Sequence, residues 1–291
     1  MYTNHADIYD LIYSFKNYRG ESELIYDIIR KNLDRNNDID RELSVIELGI
    51  GTGNHMCHLF ELFEKSKEYD RLNLIGLDKS SHMLEIAEKK IAEKINESTM
   101  KTVFITKQDD MANFTTNDVQ QQFDIVLSLF GCLGYLKSTQ ELIQTLTNMF
   151  VLVRPRGLVI IEPFIQPELF KYGTCDLTTY EDSNYKIARL GKVRRMYKNP
   201  TTEDEKNRVQ LTVNYSIGKM DFGQELFVED NVEPLFQQWE EKHDMLMFSS
   251  ETIINCCKQV GFNNIQLLKQ NELQQILPNT TIRDLYVLQK N

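Results

Sequence analysis

The segment Glu47-Leu48-Gly49-Ile50-Gly51-Thr52-Gly53-Asn54 closes a short apolar run at residues 43–48 and leads into an amphipathic stretch at 55–67. That order reads as a strand, a glycine-rich loop and a helix. Glycines at 49, 51 and 53 let the backbone turn tightly and approach a ligand closely, because no Cβ intervenes. A dinucleotide fingerprint would need a further glycine at 54, where Asn54 stands. That fingerprint also serves a pyrophosphate seated on a helix N-terminus. Glu47, two residues before the first glycine, suits a ligand that carries an amine.

Working outward, strand and helix alternate. Strands are predicted at 72–77, 102–105, 123–130 and 157–163, and helices at 81–95 and 139–153. Ser80 and Ser81 are candidate N-caps, with Glu85 in the first turn. The helix at 139–153 is expected to end on Arg154-Pro155-Arg156-Gly157. Repeated units of this kind imply an α/β fold, a parallel sheet with helices on both faces. Its ligands should lie beyond the carboxyl ends of the strands, where strand order reverses.

Before this core, Ile8, Leu11, Ile12 and Phe15 fall at helical spacing, and a second amphipathic run covers 23–33. From 166 to 248 the pattern changes to β-like segments at 185–197, 208–217 and 243–248, separated by Asn199-Pro200 and Asp221-Phe222-Gly223. This reads as an antiparallel lid. A helix at 250–260 ends at Gly261, a C′ glycine, and strands at 264–268 and 284–288 finish the core. The expected organisation is therefore 1–165 as helical cap and ligand-binding core, 166–249 as lid and substrate subdomain, and 250–291 completing the core.

The 291 residues are 41% hydrophobic and carry a net charge of −10, which disfavours a polynucleotide substrate. One local basic run, 186–198, could still meet a single diphosphate. No apolar stretch is long enough for a membrane span, and the N-terminus has no signal-peptide pattern. Five cysteines at 57, 132, 175, 256 and 257 show no Cys-x-x-Cys spacing, so neither a disulfide framework nor a metal site is expected. A reduced, cytoplasmic protein follows.

Further carboxylates stand at the strand ends. Asp78 closes the second strand, 25 residues after Gly53, where a carboxylate can accept both hydroxyls of a ribose. Lys79 follows it, at the rim of the same site or in solvent. After the third strand comes Gln108-Asp109-Asp110-Met111. Asp110 could accept from an adenine amino group while the backbone N–H of Met111 meets a ring nitrogen; equally, the acidic pair could cap a short helix. The fourth strand ends at Ser128 and runs into Leu129-Phe130-Gly131-Cys132-Leu133-Gly134-Tyr135, the place for a cofactor and an acceptor to meet. Taken jointly, these features point to S-adenosylmethionine.

On these residues the sequence resembles the class I methyltransferases that N,N-dimethylate amino sugars on nucleotide carriers, of the desosamine and mycaminose type. The resemblance spans nearly the whole chain: Tyr9-Asp10-Leu11-Ile12-Tyr13 with Tyr18, the glycine loop, Gln108 to Met111, Gly134-Tyr135-Leu136, Arg154 to Gly157, Glu162-Pro163, His243 to Phe248, and Val260-Gly261-Phe262. Asp109 departs from the glycine common there, and Ile50 and Asn54 replace cysteine or alanine and serine. The resemblance implies a Rossmann-like seven-stranded sheet, mostly parallel with one antiparallel strand. It also implies N-terminal helices folded over the cofactor, so that Tyr13 and Tyr18 meet its methionine end or, for Tyr13, the acceptor amine. Tyr135 is implied beside the acceptor together with Phe130. Each tyrosine also fits a core edge with its ring buried. Glu162 reads as an amine partner or a lid anchor. His243 reads as a catalytic group or a structural histidine, Trp239 as lid packing, and Cys256-Cys257 as one buried and one peripheral thiol. Arg194 and Arg195 read as diphosphate contacts or as part of a solvated edge strand.

The expected function is methyl transfer from S-adenosylmethionine to the amine of a small molecule, foremost a nucleotide-linked amino sugar. The alternatives are a glycine-like amine, a small-molecule hydroxyl, and a partner protein that binds the cofactor without transfer. No nucleic acid or membrane partner is expected, and a homodimer stays open.

Overall fold

The computed structural model describes residues 6–33, 41–114, 121–173, 175–219, 236–278 and 280–291. Helices α1 (Ala6–Ile12) and α2 (Tyr18–Asn32) come first. They are followed by β1 (Glu42–Leu48), α3 (Asn54–Ser66), β2 (Arg71–Asp78), α4 (Ser81–Glu97), β3 (Lys101–Gln108) and β4 (Phe123–Ser128). A single 3-10 turn (Cys132–Tyr135) then leads to α5 (Thr139–Leu152) and β5 (Val153–Ile161). Next come β6 (Cys175–Glu181), β7 (Tyr185–Arg195), the one-turn α6 (Glu203–Lys206), β8 (Arg208–Lys219) and β9 (Phe236–Leu246). The chain closes with α7 (Ser250–Val260), β10 (Asn264–Leu268), α8 (Gln270–Ile276) and β11 (Leu285–Gln289).

Seven strands form one sheet in the order β10-β11-β5-β4-β1-β2-β3. β1 to β5 run parallel, and β11 lies antiparallel between β5 and β10. This is the expected class I architecture. β1 and β4 are fully apolar at their centres because helices cover both faces there. Strand order reverses between β1 and β4, so a crevice opens beyond Leu48 and Ser128. The other four strands, β6-β7-β8-β9, form a separate antiparallel sheet. Ile8 and Ile12 of α1 pack on its inner face against Ile187, Val213, Tyr215 and Ile217.

Several local expectations change. Helix α2 starts at Tyr18, capped by Asn17, whose side chain accepts from Gly20 N. Helix α5 ends at Leu152, just before Arg154-Pro155-Arg156-Gly157 as expected, but that segment is already part of β5 and not a link before it. The register with β4 slips between Phe123 and Ile125, Arg156 takes φ +63°, and Arg154 pairs with Asp124. β4 stops at Ser128 because Phe130 and Gly131 turn the chain with φ of 54° and 71°. Strand β6 and helix α8 had no sequence counterpart. The basic strand β7 is interior, between β6 and β8, and not an edge. Cys256 and Cys257 are both buried, and Trp239 stacks on Tyr215 at 4.9 Å. The turn expected at 221–223 lies outside the described residues. Among the described residues no helix is long and apolar enough to cross a membrane.

Candidate active site

The glycine loop crosses the end of β1 in a left-handed conformation, with φ of 83° at Gly49, 56° at Gly51 and 78° at Gly53. Only glycine adopts such a run cheaply. Gly49 N and Ile50 N donate to Leu77 O, which ties the loop to the end of β2. A Cβ on Gly49 would strike Cys132, whereas a Cβ on Gly51 would stand in open space. The loop is therefore packed at Gly49 and faces an open cradle at Gly51.

Two carboxylates border that cradle. Glu47 is buried, and its Oε2 has no hydrogen-bond partner. Burial first, and the Asp78 charge second, push its pKa up to about 8. A lone buried carboxylate oxygen is costly unless something cationic arrives to meet it. Asp78 accepts from Gly51 N through Oδ2 and from Ser80 N through Oδ1, both at 2.9 Å. Burial raises its pKa, although those backbone N–H groups oppose the rise. Each Asp78 oxygen keeps a second lone pair for a diol. An acid for an ammonium, an acid for a ribose and an open glycine turn between them fit S-adenosylmethionine.

The third acidic position is engaged locally. Asp110 Oδ1 accepts from Ala112 N at 3.0 Å, and Oδ2 accepts from Asn113 Nδ2 and pairs with Lys79 at 2.8 Å. These contacts hold its pKa low against its partial burial. The carboxylate thus caps its own turn, and Lys79 is anchored to it. Asp109 pairs with Lys107. Met111 lies in the core beside Leu48 and Leu77, with its methyl 3.4 Å from where a Cβ on Gly49 would stand.

At the end of β4, Ser128 is buried and bonds Cys132 Sγ. Phe130 N donates to Glu162 Oε2 at 2.7 Å, and Arg283 N donates to Glu162 Oε1. Glu162 thus holds two loops together through backbone contacts. The Phe130 ring is met edge-on by Tyr13 and Tyr18 and carries the Lys16 ammonium 4.3 Å above its centroid. Burial raises the pKa of both tyrosines.

The second sheet supplies the opposite wall. Tyr135 Oη lies 3.2 Å from Nδ1 of His243, which is buried on β9. Arg189 is buried beneath Tyr13 and pairs with Asp176. Arg195 stacks on Tyr172, 4.0 Å from its centroid, at the open end of the inner face. Arg194 alternates to the outer face and is exposed. The structure therefore brings Tyr13, Tyr18, Phe130, Tyr135 and His243 around the crevice and leaves Arg194 outside it.

Sequence reasoning missed a clasp. Asp10 Oδ1 accepts from Thr52 Oγ1 and Asn54 Nδ2, and Asp10 Oδ2 accepts from Lys90 Nζ, at 2.7–2.8 Å. The residue at 54 that departs from the usual serine is thus the one that helps tie α1 to the glycine loop. Asp10→Ala is expected to weaken cofactor binding by about tenfold, the worth of one charge-assisted hydrogen bond, with the fold intact by circular dichroism. Asp78→Ala is expected to weaken it by about thirtyfold, close to 2 kcal/mol. Calorimetric affinities equal to wild type would refute either assignment.

Comparison with known proteins agrees with this geometry. The family described as "Methyltransferase domain" matches residues 46–159, the stretch from β1 into β5. The chain is similar to the dTDP-3-amino-3,4,6-trideoxy-alpha-D-glucopyranose N,N-dimethyltransferase of Streptomyces venezuelae, at 27% identity over 239 residues, covering 81% of this chain and 86% of that protein. It is also similar to the dTDP-3-amino-3,6-dideoxy-alpha-D-glucopyranose N,N-dimethyltransferase of Streptomyces fradiae, at 24% identity over 248 residues and 84% and 78% coverage. Among solved structures, Streptomyces venezuelae DesVI superposes with a TM-score of 0.72 at 23% identity, covering 99% of both chains. The chain carries a methyltransferase domain on the class I fold, and its cofactor is S-adenosylmethionine.

Proposed function

We propose that this enzyme methylates the amine of a small molecule, foremost an amino group on a nucleotide-linked sugar. The observation that carries the reading is the crevice wall: an aromatic group of Tyr13, Tyr18 and Phe130 on one side and the Tyr135–His243 pair on the other. The similar curated proteins are named as N,N-dimethyltransferases of dTDP-linked amino sugars, which supports the acceptor class.

The cofactor supplies a methyl group on a sulfonium that departs as a neutral thioether, so the protein's task is alignment. Glu47 would meet the ammonium of the methionine end, Asp78 the ribose, and Asp110 with Met111 and Lys79 the adenine end. Gly49, Gly51 and Gly53 let the backbone approach, and Tyr18 and Ser128 line the same crevice. Tyr13 and Tyr135 would orient the acceptor nitrogen over Phe130, with His243 behind Tyr135 to receive the proton that an amine sheds on methylation. Glu162 acts by fixing the Phe130 turn. Arg195 would meet a diphosphate from the rim, while Arg194 points to the outer face. This assignment keeps residues 166–249 as the acceptor-binding part, with a small molecule and no nucleic acid as partner and the cytoplasm as setting.

Incubation with labelled S-adenosylmethionine and a panel of free amines, dTDP-amino sugars and hydroxyl analogues, read by acceptor mass, tests the reading. Mass gain of 14 or 28 Da, one or two methylene equivalents, on an amino sugar is expected. Transfer to hydroxyls alone would overturn it.

A further inference from the structure

Alternation along β9 turns Trp239, Glu241, His243 and Met245 to the inner face of the second sheet. Both ring nitrogens of the buried His243 face partners. Nδ1 lies 3.2 Å from Tyr135 Oη, and Nε2 lies 3.3 Å from Glu241 Oε2. An ionised carboxylate only accepts hydrogen bonds, so Nε2 carries the hydrogen of the neutral ring. Nδ1 is then an acceptor, and the Tyr135 hydroxyl must donate to it. As a donor to Nδ1, the phenol oxygen still acts as an acceptor toward other groups.

The surroundings favour an ionised Glu241. Arg189 lies on the same inner face, where it pairs with Asp176, and the Glu241 carboxylate keeps 19% of its side chain in contact with water. The side chain is largely buried, as a group acting through His243 should be.

We propose that Glu241 is a positioning residue. It fixes His243 in the Nε2–H tautomer and so aims the Tyr135 oxygen at the N–H of the acceptor amine. The assignment rests on the amine-transfer reading. As the new N–C bond forms, the methyl–sulfur bond breaks and its electron pair stays on sulfur. The resulting ammonium gives one proton to Tyr135 Oη, and Tyr135 passes its own to His243 Nδ1. The imidazolium is held by Glu241 until the proton leaves to solvent. One proton leaves per methyl transferred.

The tautomer is read directly from the nitrogen shifts and couplings of 15N-histidine in the free protein, alongside turnover of Glu241→Leu and Glu241→Gln. Wild type is expected in the Nε2–H form, and Glu241→Leu as a mixture of tautomers. In the leucine variant kcat should fall about a hundredfold, the lower range of a general acid–base contribution, with cofactor affinity unchanged. Glu241→Gln, whose carbonyl oxygen can still accept from Nε2, should keep the tautomer and recover part of kcat. A wild-type Nδ1–H form, or undiminished kcat in Glu241→Leu, would overturn the proposal. Failure of the amine reading appears separately, as wild-type protein that methylates no amine while His243 keeps the Nε2–H form; that result retains the tautomer assignment and overturns the proton step.

Discussion

Lys16→Met should lower the free energy of unfolding by about 3–5 kcal/mol, the cost of breaking a buried ion pair by removing one partner. The side chains of Lys16 and Glu21 are both fully buried and in contact. Glu21 also accepts from Thr280 Oγ1 and Thr281 Oγ1 and lies 3.3 Å from His55 Nε2. Burial alone would raise the Glu21 pKa, but His55 and Lys16 together bring it down to about 2. Because the folded value lies below the unfolded value of about 4.3, the cluster stabilises the fold above that pH and loses its effect as pH falls toward 2. Without Lys16 that loss should begin at higher pH. Urea midpoints at pH 7 and pH 3.5 provide the check, and equal midpoints for variant and wild type at pH 7 would show that the pair contributes nothing. Lys16→Met/Glu21→Leu should recover part of the loss, since an apolar replacement of both charges leaves none buried alone.

The second large effect is a pH dependence of cofactor affinity centred on Glu47. In the free protein its pKa stands at about 8, so the side chain is mostly protonated at neutral pH. An ammonium requires the carboxylate, so binding below that pKa must expel a proton. Affinity should therefore fall by up to tenfold for each pH unit below about 8 and level off above it. Between pH 8 and pH 6 the difference is about fiftyfold, since only half of the side chain is ionised at pH 8 itself. The sign is that of any carboxylate that must ionise to bind, and only the window moves: an ordinary carboxylate is already ionised throughout this range and gives no slope in it. Calorimetry in two buffers of different ionisation enthalpy counts the protons released; a value near one is expected for wild type at pH 6.5 and near zero for Glu47→Gln. A wild-type value of zero would remove Glu47 from the cofactor's ammonium.

The parts of the molecule readable from its sequence are those governed by neighbours in the chain. β1, the glycine loop and α3 carry their own signals, in apolar residues, glycine spacing and amphipathic spacing, and the helix at 250–260 declares its C-terminal end with Gly261. Strand β6 escaped because it alternates among mostly exposed residues, so no apolar period marks it. The bulge in β5 escaped because Pro155 and Gly157 usually stop an element, and here the pairing with β4 overrides them. For the site, the acids at 47 and 78 were legible from their positions after strands. Asp110 lies just after β3, as its position suggested, but its carboxylate is engaged with its own turn and Lys79. Asp10 and the inward turn of Arg189 were not legible, since they depend on contacts across 13 to 80 residues of chain, and Glu241 gains its place only through the Tyr135–His243 pair, 108 residues apart. The alternation of β7 could have separated Arg195 from Arg194, had its register been known.

Helix α1 has one further consequence. Asp10 fastens it to the glycine loop, while Ile8 and Ile12 lie on the second sheet. One short element thus touches both the glycine loop and the second sheet. A ligand that steadies this helix against either sheet steadies it for both. Linkage then requires reciprocity: whatever factor the bound cofactor adds to acceptor affinity, the acceptor returns to the cofactor.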